Sequence, residues 1–87
     1  MNRTEVLRQA EQCITKDRAA THGDAEDSFA LIGKMWSVWL ERDVSAYDVA
    51  MMMSLFKVVR AKGNPSHTDN LVDLIGYAAL AEEITNG

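Results

Sequence analysis

The feature that most constrains the fold of this 87-residue chain is the spacing of its apolar residues, which follows the period of an α-helix. No run of five residues between turn signals alternates polar and apolar side chains, as a half-buried strand would. In the first segment, one helix face carries Val6, Leu7, Ala10, Cys13 and Ile14. This pattern predicts an all-α fold whose first helix covers about residues 5–17, with Thr4 as its N-cap.

Three further helices are indicated by capping pairs, in which a polar residue precedes an acidic residue by three positions. Gly63 and Pro65 separate the last two helices, because neither residue favours continuing a helix. We expect the three helices to end near Arg42, Lys62 and Thr85. The capping pairs are Asp24 with Asp27, Ser45 with Asp48, and Ser66 with Asp69.

Length and composition predict one helical domain over residues 1–87. Short connections between the helices favour a small four-helix bundle-like arrangement. A domain of this size buries only about 60% of the surface that its unfolded chain exposes. We therefore expect oligomerisation to complete the fold, with a homo-oligomer as the working form.

The large side chains of the second helix are expected at the centre of the core. They are Phe29, Ile32, Trp36, Trp39 and Leu40. The third helix has apolar residues on two faces. Its main stripe is expected to be Val49, Met52, Met53, Phe56 and Val59, with Tyr47, Met51 and Val58 on the opposite side.

The fourth helix is also apolar on more than one face. One face carries Leu71, Val72, Ile75, Ala78 and Ala79. Gly76 and Leu80 lie on another face, near Asp69 and Asp73. A single bundle cannot cover all of these faces, so we expect the surplus to meet another subunit, with Gly76 allowing a close helix approach.

The net charge of −4 and the sequence pI of about 5.0 argue against non-specific binding to nucleic acid or to an anionic membrane. No segment has the composition of a signal peptide or a membrane span. The single cysteine, Cys13, cannot form an internal disulfide and is expected to be a buried small hydrophobe. These features predict a cytoplasmic protein.

Lys57 and Arg60 form the first candidate site, because a spacing of three places both on neighbouring positions of the third helix. A cation within an apolar stripe needs an anionic partner. That partner is either an internal carboxylate, Asp69 or Asp73, or the phosphate or carboxylate of a ligand. The sequence leaves both alternatives open.

Asp69 and Asp73 form the second candidate site, one turn apart on the fourth helix. Two carboxylates at this spacing can hold Mg²⁺ through oxygen ligands and waters. They can equally form a solvated helix face or pair with the two cations. No further acidic ligands stand at a regular spacing, so we predict no metal site.

The third candidate is the segment that contains Arg18 and His22. A histidine there could act as an acid, a base or a metal ligand, although such a histidine is more often a surface loop residue. No nucleophile elbow, phosphate loop or zinc-ligand spacing is present. The catalytic residues are therefore unknown, no cofactor is expected, and a non-enzymatic protein is favoured.

The order of several motifs resembles a family of small phage and prophage proteins. These motifs are Arg18 with His22-Gly23-Asp24, Phe29 and Trp36, Asp48 with Lys57 and Arg60, and Asp69-Asn70 with Asp73, Gly76 and Tyr77. The resemblance covers about residues 18–83. It implies a phage or prophage origin, and thus the host cytoplasm, but no established activity.

Residues 69–77 are more distantly similar to the last metal-binding helix of MazG-like all-α nucleotide pyrophosphohydrolases. Those enzymes carry Glu-x-x-Glu and Glu-x-x-Asp motifs on two helices, and these hold Mg²⁺ beside a triphosphate. In this chain the nearest equivalents are Asp24 with Asp27, and Asp69 with Asp73 at a spacing of four. Mg²⁺ is therefore expected only under this alternative.

The function favoured by the sequence is an oligomeric helical module of a phage or prophage. Its ligand would be a small anionic, nucleotide-like molecule or a host protein. The expected contacts are Lys57, Arg60, Asp69, Asp73, Arg18 and His22. The alternative is a Mg²⁺-dependent nucleoside triphosphate pyrophosphohydrolase.

Overall fold

A computed structural model describes residues 1–17 and 25–87 of the chain, and these residues form an all-α arrangement. Four α-helices lie in the described part: α1 at Arg3–Gln12, α2 at Ala25–Leu40, α3 at Ala46–Gly63 and α4 at Thr68–Asn86. A π-helical turn, Cys13–Asp17, continues α1. This confirms the predicted all-α, small bundle-like fold. No helix in the described ranges combines the length and apolarity that crossing a membrane requires.

The first helix begins two residues earlier than predicted. The side-chain oxygen of Asn2 accepts a hydrogen bond from the Glu5 backbone N–H at 2.9 Å. Asn2 is therefore the N-cap, and Thr4 lies inside the first turn. Asparagine is among the strongest N-cap residues, so it wins this competition.

The second helix ends at Leu40 rather than near Arg42. Glu41 has a left-handed backbone with φ 56°, and the Arg42 N–H donates to the Ser37 carbonyl oxygen at 3.3 Å. This is a Schellman-type termination, which satisfies a carbonyl at the end of the helix. The predicted Asp24 cap at the other end of this helix lies outside the described residues.

Gly33 and Ser37 join α2 to the segment that enters α3. The Ser37 hydroxyl donates to the Gly33 carbonyl oxygen at 2.7 Å and accepts from the Val44 N–H at 2.7 Å. A β carbon placed on Gly33 would lie only 2.7 Å from the Val44 carbonyl oxygen. Glycine at this position therefore allows the close approach of helix and connecting segment.

The start of α3 is the capping box that the sequence predicts. The Asp48 N–H donates to the Ser45 hydroxyl oxygen, and the Ser45 N–H donates to a carboxylate oxygen of Asp48, both at 3.0 Å. Two backbone donors at the helix start are thus satisfied.

The predicted Ser66 cap of α4 is wrong. The Ser66 hydroxyl instead donates to the Asn64 side-chain oxygen at 3.1 Å, and His67 is the N-cap without a side-chain hydrogen bond. The turn is held by backbone bonds, because the His67 N–H donates to the Asn64 carbonyl and the Asn70 N–H to the His67 carbonyl. Ser66 thus lies one position before the N-cap, and its hydroxyl bonds within the turn instead of capping the helix.

The core lies between α2, α3 and α4, and its largest fully buried side chain is Phe29, with 2% of its surface exposed. The Phe29 ring packs at a tilt against Tyr77, with 6.1 Å between centroids. Two expected core residues are outside it: Trp39 is 85% exposed and Leu40 is half exposed. Both lie in the last turn of α2, beyond Gly33 and Ser37, where the segment that enters α3 contacts this helix. The buried cluster contains Phe29, Val49, Ala50, Leu80 and Ala81.

The inner face of α3 is rotated relative to the predicted main stripe. Val49 and Met53 face inward as expected, but Met52, Phe56 and Val59 are exposed. Their places are taken by Ala50 and Ser54, both of which are buried. Small side chains on this face let α3 and α4 approach closely, which favours this rotation over one that buries larger residues.

The inner face of α4 is also different from the predicted one. Gly76 faces its own chain, because a β carbon there would lie 2.9 Å from the Cγ2 atom of Ile14. The expected contact of Gly76 with a second subunit is therefore wrong. α1 and its π-helical turn occupy that place. Of the predicted face, Val72 is buried, whereas Leu71, Ala78 and Ala79 are exposed.

Candidate anion-binding site

Lys57 and Asp73 form an ion pair that joins the inner faces of α3 and α4. The Lys57 Nζ lies 2.8 Å from a carboxylate oxygen of Asp73. The lysine side chain is 15% exposed and the aspartate 39% exposed, so water reaches the pair from the aspartate side. The long apolar stem of lysine packs in the helix interface, while its charge is compensated by the aspartate.

Arg60 lies one turn beyond Lys57 and takes a different environment. Its guanidinium carbon is 4.6 Å from the centroid of the Phe56 ring, and the Lys57 Nζ is 5.8 Å from the same centroid. Both distances are within the range of a cation–π interaction. Arg60 is exposed in the single chain, so the expectation that it is embedded in an apolar stripe is wrong.

Lys57 and Arg60 therefore have different partners. Within residues 1–17 and 25–87, the carboxylate of Asp73 pairs with Lys57 and not with Arg60. Asp69 is exposed in the first turn of α4, where an acidic side chain is favoured by the helix dipole. In the part of the chain that the structure describes, no carboxylate forms an ion pair with Arg60.

Phe56 is a member of the predicted main stripe of α3 whose role in this site the list of expected contacts does not include. It is 44% exposed, and the guanidinium of Arg60 lies over its ring. The spacing indicates this contact, because an aromatic residue four positions before an arginine lies on the same helix surface.

The other predicted contacts are not tested by this geometry. Arg18 and His22 lie outside the described residues, so their positions relative to Arg60 stay a prediction. In the described ranges, no three His, Cys, Asp or Glu side chains are grouped closely enough to hold a metal ion.

Comparison with known proteins supports the phage resemblance. The family model of a domain of unknown function, DUF6378, matches residues 5–85. Relatives include the Gene 55 protein of Mycobacterium phage D29, 35% identical over 79 residues, and the Gene 55 protein of Mycobacterium phage L5, 35% identical over 80 residues. No solved structure matches the chain.

The matches cover 91% of this chain but 52% and 51% of the two relatives, so the chain spans about half the length of the curated relatives it matches. The predicted resemblance to small phage proteins is confirmed. The more distant similarity to MazG-like enzymes stays a prediction.

Proposed function

From the premise that this chain belongs to the DUF6378 family of domains of unknown function, we propose that it is an oligomeric helical module of a phage. Its ligand is a small anion of the nucleotide type, and Arg60 is the main contact. The observation that carries the proposal is the exposed guanidinium of Arg60, which lies over the ring of Phe56 beside a lysine whose charge is already paired.

The position of Arg60 over Phe56 suits phosphate binding. The guanidinium carbon lies 4.6 Å from the ring centroid, and a guanidinium held by a cation–π contact can still offer N–H groups to two oxygens. The ring also restricts the side chain, so less conformational entropy is lost when an anion binds. Asp73 draws Lys57 away from this role, which makes the arginine the stronger candidate.

Exposed apolar surface supports the oligomeric part of the proposal. Large apolar side chains lie exposed on the outer faces of α2 and α3, including Leu31, Met35, Val38 and Trp39 on α2 and Met52, Leu55 and Val59 on α3. Patches of this kind on a small soluble domain mark places where another protein surface packs.

We expect a nucleoside triphosphate to raise the melting temperature of the protein, and the Arg60→Met variant to lose this shift. A charge-assisted contact contributes about 1.5–3 kcal/mol, so affinity should fall roughly 10-fold or more. Thermal unfolding in the presence of a panel of ribo- and deoxyribonucleoside triphosphates measures both effects.

The matched control for this experiment is Lys34→Met, which removes an exposed cation from α2. This variant should keep the full thermal shift, because Lys34 lies on a different helix from the Arg60 site. If no nucleotide raises the melting temperature of the unaltered protein, the ligand part of the proposal fails. An equal loss in both variants would mean non-specific attraction to cations, and it would also reject the site.

The alternative function is the Mg²⁺-dependent nucleoside triphosphate pyrophosphohydrolase. It predicts pyrophosphate release that depends on Mg²⁺, with Asp69 and Asp73 as metal contacts. The pairing of Asp73 with Lys57 occupies one of these carboxylates. No observation in the described residues favours this alternative over binding alone. If nucleotides do not bind, a host protein is the ligand that remains to be tested.

A further inference from the structure

One row of exposed residues runs along the side of α3 opposite the face that packs against α2 and α4. We name it the outer stripe: Asp48, Met52, Leu55, Val59 and Lys62. The spacing between successive members alternates between four and three residues, which is the pattern of a coiled-coil seam. At 3.6 residues per turn, this row lies opposite Lys57, which faces α4.

All five members of the outer stripe are exposed. Among its apolar members, the exposed fraction is largest for Leu55, at the centre, and for Val59, in the C-terminal half. Leu55 is 64% exposed and Val59 is 72% exposed. Asp48 and Lys62 at its ends are also exposed. An apolar seam with an acid at one end and a base at the other is thus presented to solvent.

We propose that the outer stripe is the contact with a second copy of this chain, and that the two α3 helices pair antiparallel around a two-fold axis at Leu55. This inference rests on the self-association part of the proposed function and specifies its surface. In this arrangement Leu55 meets Leu55 of the other copy, and Met52 meets Val59. Each Asp48 lies beside the other copy's Lys62.

The order of charges selects the antiparallel direction. A parallel pair would place Asp48 against Asp48 and Lys62 against Lys62, and like charges at close range are unfavourable. The antiparallel pair makes two opposite-charge contacts from one acid and one base per chain. Such a self-complementary surface is what a two-fold homodimer requires. The carboxylate of Asp48 can keep its bond to the Ser45 N–H, because its second oxygen remains available.

The surface area of the chain is consistent with a covered face. Its accessible surface is 6323 Å². A compact monomer of 9.7 kDa is expected to expose about 5,100 Å². The surplus of roughly 1,200 Å² exceeds the ~800 Å² that each partner contributes to a standard interface. The surplus is therefore large enough for one helix-to-helix contact of this type.

The first test is the molecular mass of Leu55→Glu in solution. Multi-angle light scattering should give about 19 kDa for the unaltered protein, twice the 9.7 kDa of one chain. Leu55→Glu should weaken the dimer at least 10-fold, because it places two like charges on the axis. Leu7→Glu, which makes the same change at a leucine of α1 that is 55% exposed, is the control and should remain dimeric.

The outcomes separate the general proposal from the specific one. A dimer that Leu55→Glu leaves intact, or that both variants dissociate equally, contradicts the outer stripe but keeps self-association. A monomer at every concentration contradicts both. The anion site of Arg60 is tested independently by nucleotide binding.

The second test is disulfide formation in a Cys13→Ser background, which fixes the direction of pairing. Leu55→Cys should form a disulfide dimer on its own, because the axis brings its two copies together. Met52→Cys and Val59→Cys should cross-link when the two variants are mixed, and much less when each is alone. Efficient cross-linking of each single variant with itself would indicate a parallel pair and overturn the proposal.

Discussion

Replacing Phe29 with alanine is expected to lower the free energy of unfolding by about 3–5 kcal/mol, the largest effect of any single change considered. The Phe29 ring is 2% exposed and is enclosed by α3, α4 and Tyr77. Its removal leaves a cavity that the surrounding helices fill only in part. Since small domains are stabilised by only about 5–15 kcal/mol, a large fraction of the stability is lost.

Urea denaturation at one protein concentration measures this effect. Trp39→Ala is the matched control, because it removes a larger aromatic ring that is 85% exposed. Its cost in the free energy of unfolding should stay below about 1 kcal/mol. If Trp39→Ala destabilises the chain as much as Phe29→Ala, the described core is misplaced.

Gly33→Ala is expected to destabilise the protein by about 1–3 kcal/mol, although alanine is the better helix former. The added β carbon would lie 2.7 Å from the carbonyl oxygen of Val44. Because that atom belongs to the backbone, α2 must move away from the segment that enters α3. The hydrogen bond between the Val44 N–H and Ser37 would then be strained or broken.

Gly63→Ala is the control for this prediction, since it makes the same chemical change where space is open. No atom lies within 4 Å of a β carbon placed on Gly63. We expect this variant to be more stable than the unaltered protein by about 0.5–1 kcal/mol, through reduced freedom of the unfolded chain. Thermal unfolding of the two variants should therefore show shifts of opposite sign. Shifts of the same sign would contradict the packing of Gly33.

The helices themselves could be predicted from the sequence, because their determinants are local. The Ser45 and Asp48 capping box needs only four consecutive residues. Pro65 prevents the preceding helix from continuing, whatever lies elsewhere in the chain. The errors arose where two local solutions compete. Asn2 and Thr4 are both good caps, and only the geometry of the first turn decides between them.

The rotation of α3 could not be predicted in the same way. A helix with apolar residues around most of its circumference has no unique inner face in its sequence pattern. The face that packs is decided by small residues, Ala50 and Ser54 on α3 and Gly76 on α4, whose contribution depends on the partner helix and the π-helical turn. The same rotation leaves Arg60 exposed, whereas the sequence pattern placed it within an apolar stripe.

The candidate site was predictable in composition but not in arrangement. The spacing of Lys57 and Arg60 correctly places them near each other, and both approach the same aromatic ring. Which of them pairs with Asp73 depends on the relative rotation of α3 and α4, a tertiary property. Arg60, which was expected within an apolar stripe, is instead exposed, and its role as a ligand contact is a proposal.

The pairing of Asp73 with Lys57 rather than with Arg60 is the claim on which the proposed site depends, and two double-mutant cycles test it directly. In the Lys57→Met and Asp73→Asn cycle, the coupling free energy of unfolding should be about 1 kcal/mol, reduced by the solvent exposure of the aspartate. In the Arg60→Met and Asp73→Asn cycle, it should be close to zero. A clear coupling of Arg60 with Asp73, with none for Lys57, would show that the arginine is paired internally and would contradict its role as the anion contact.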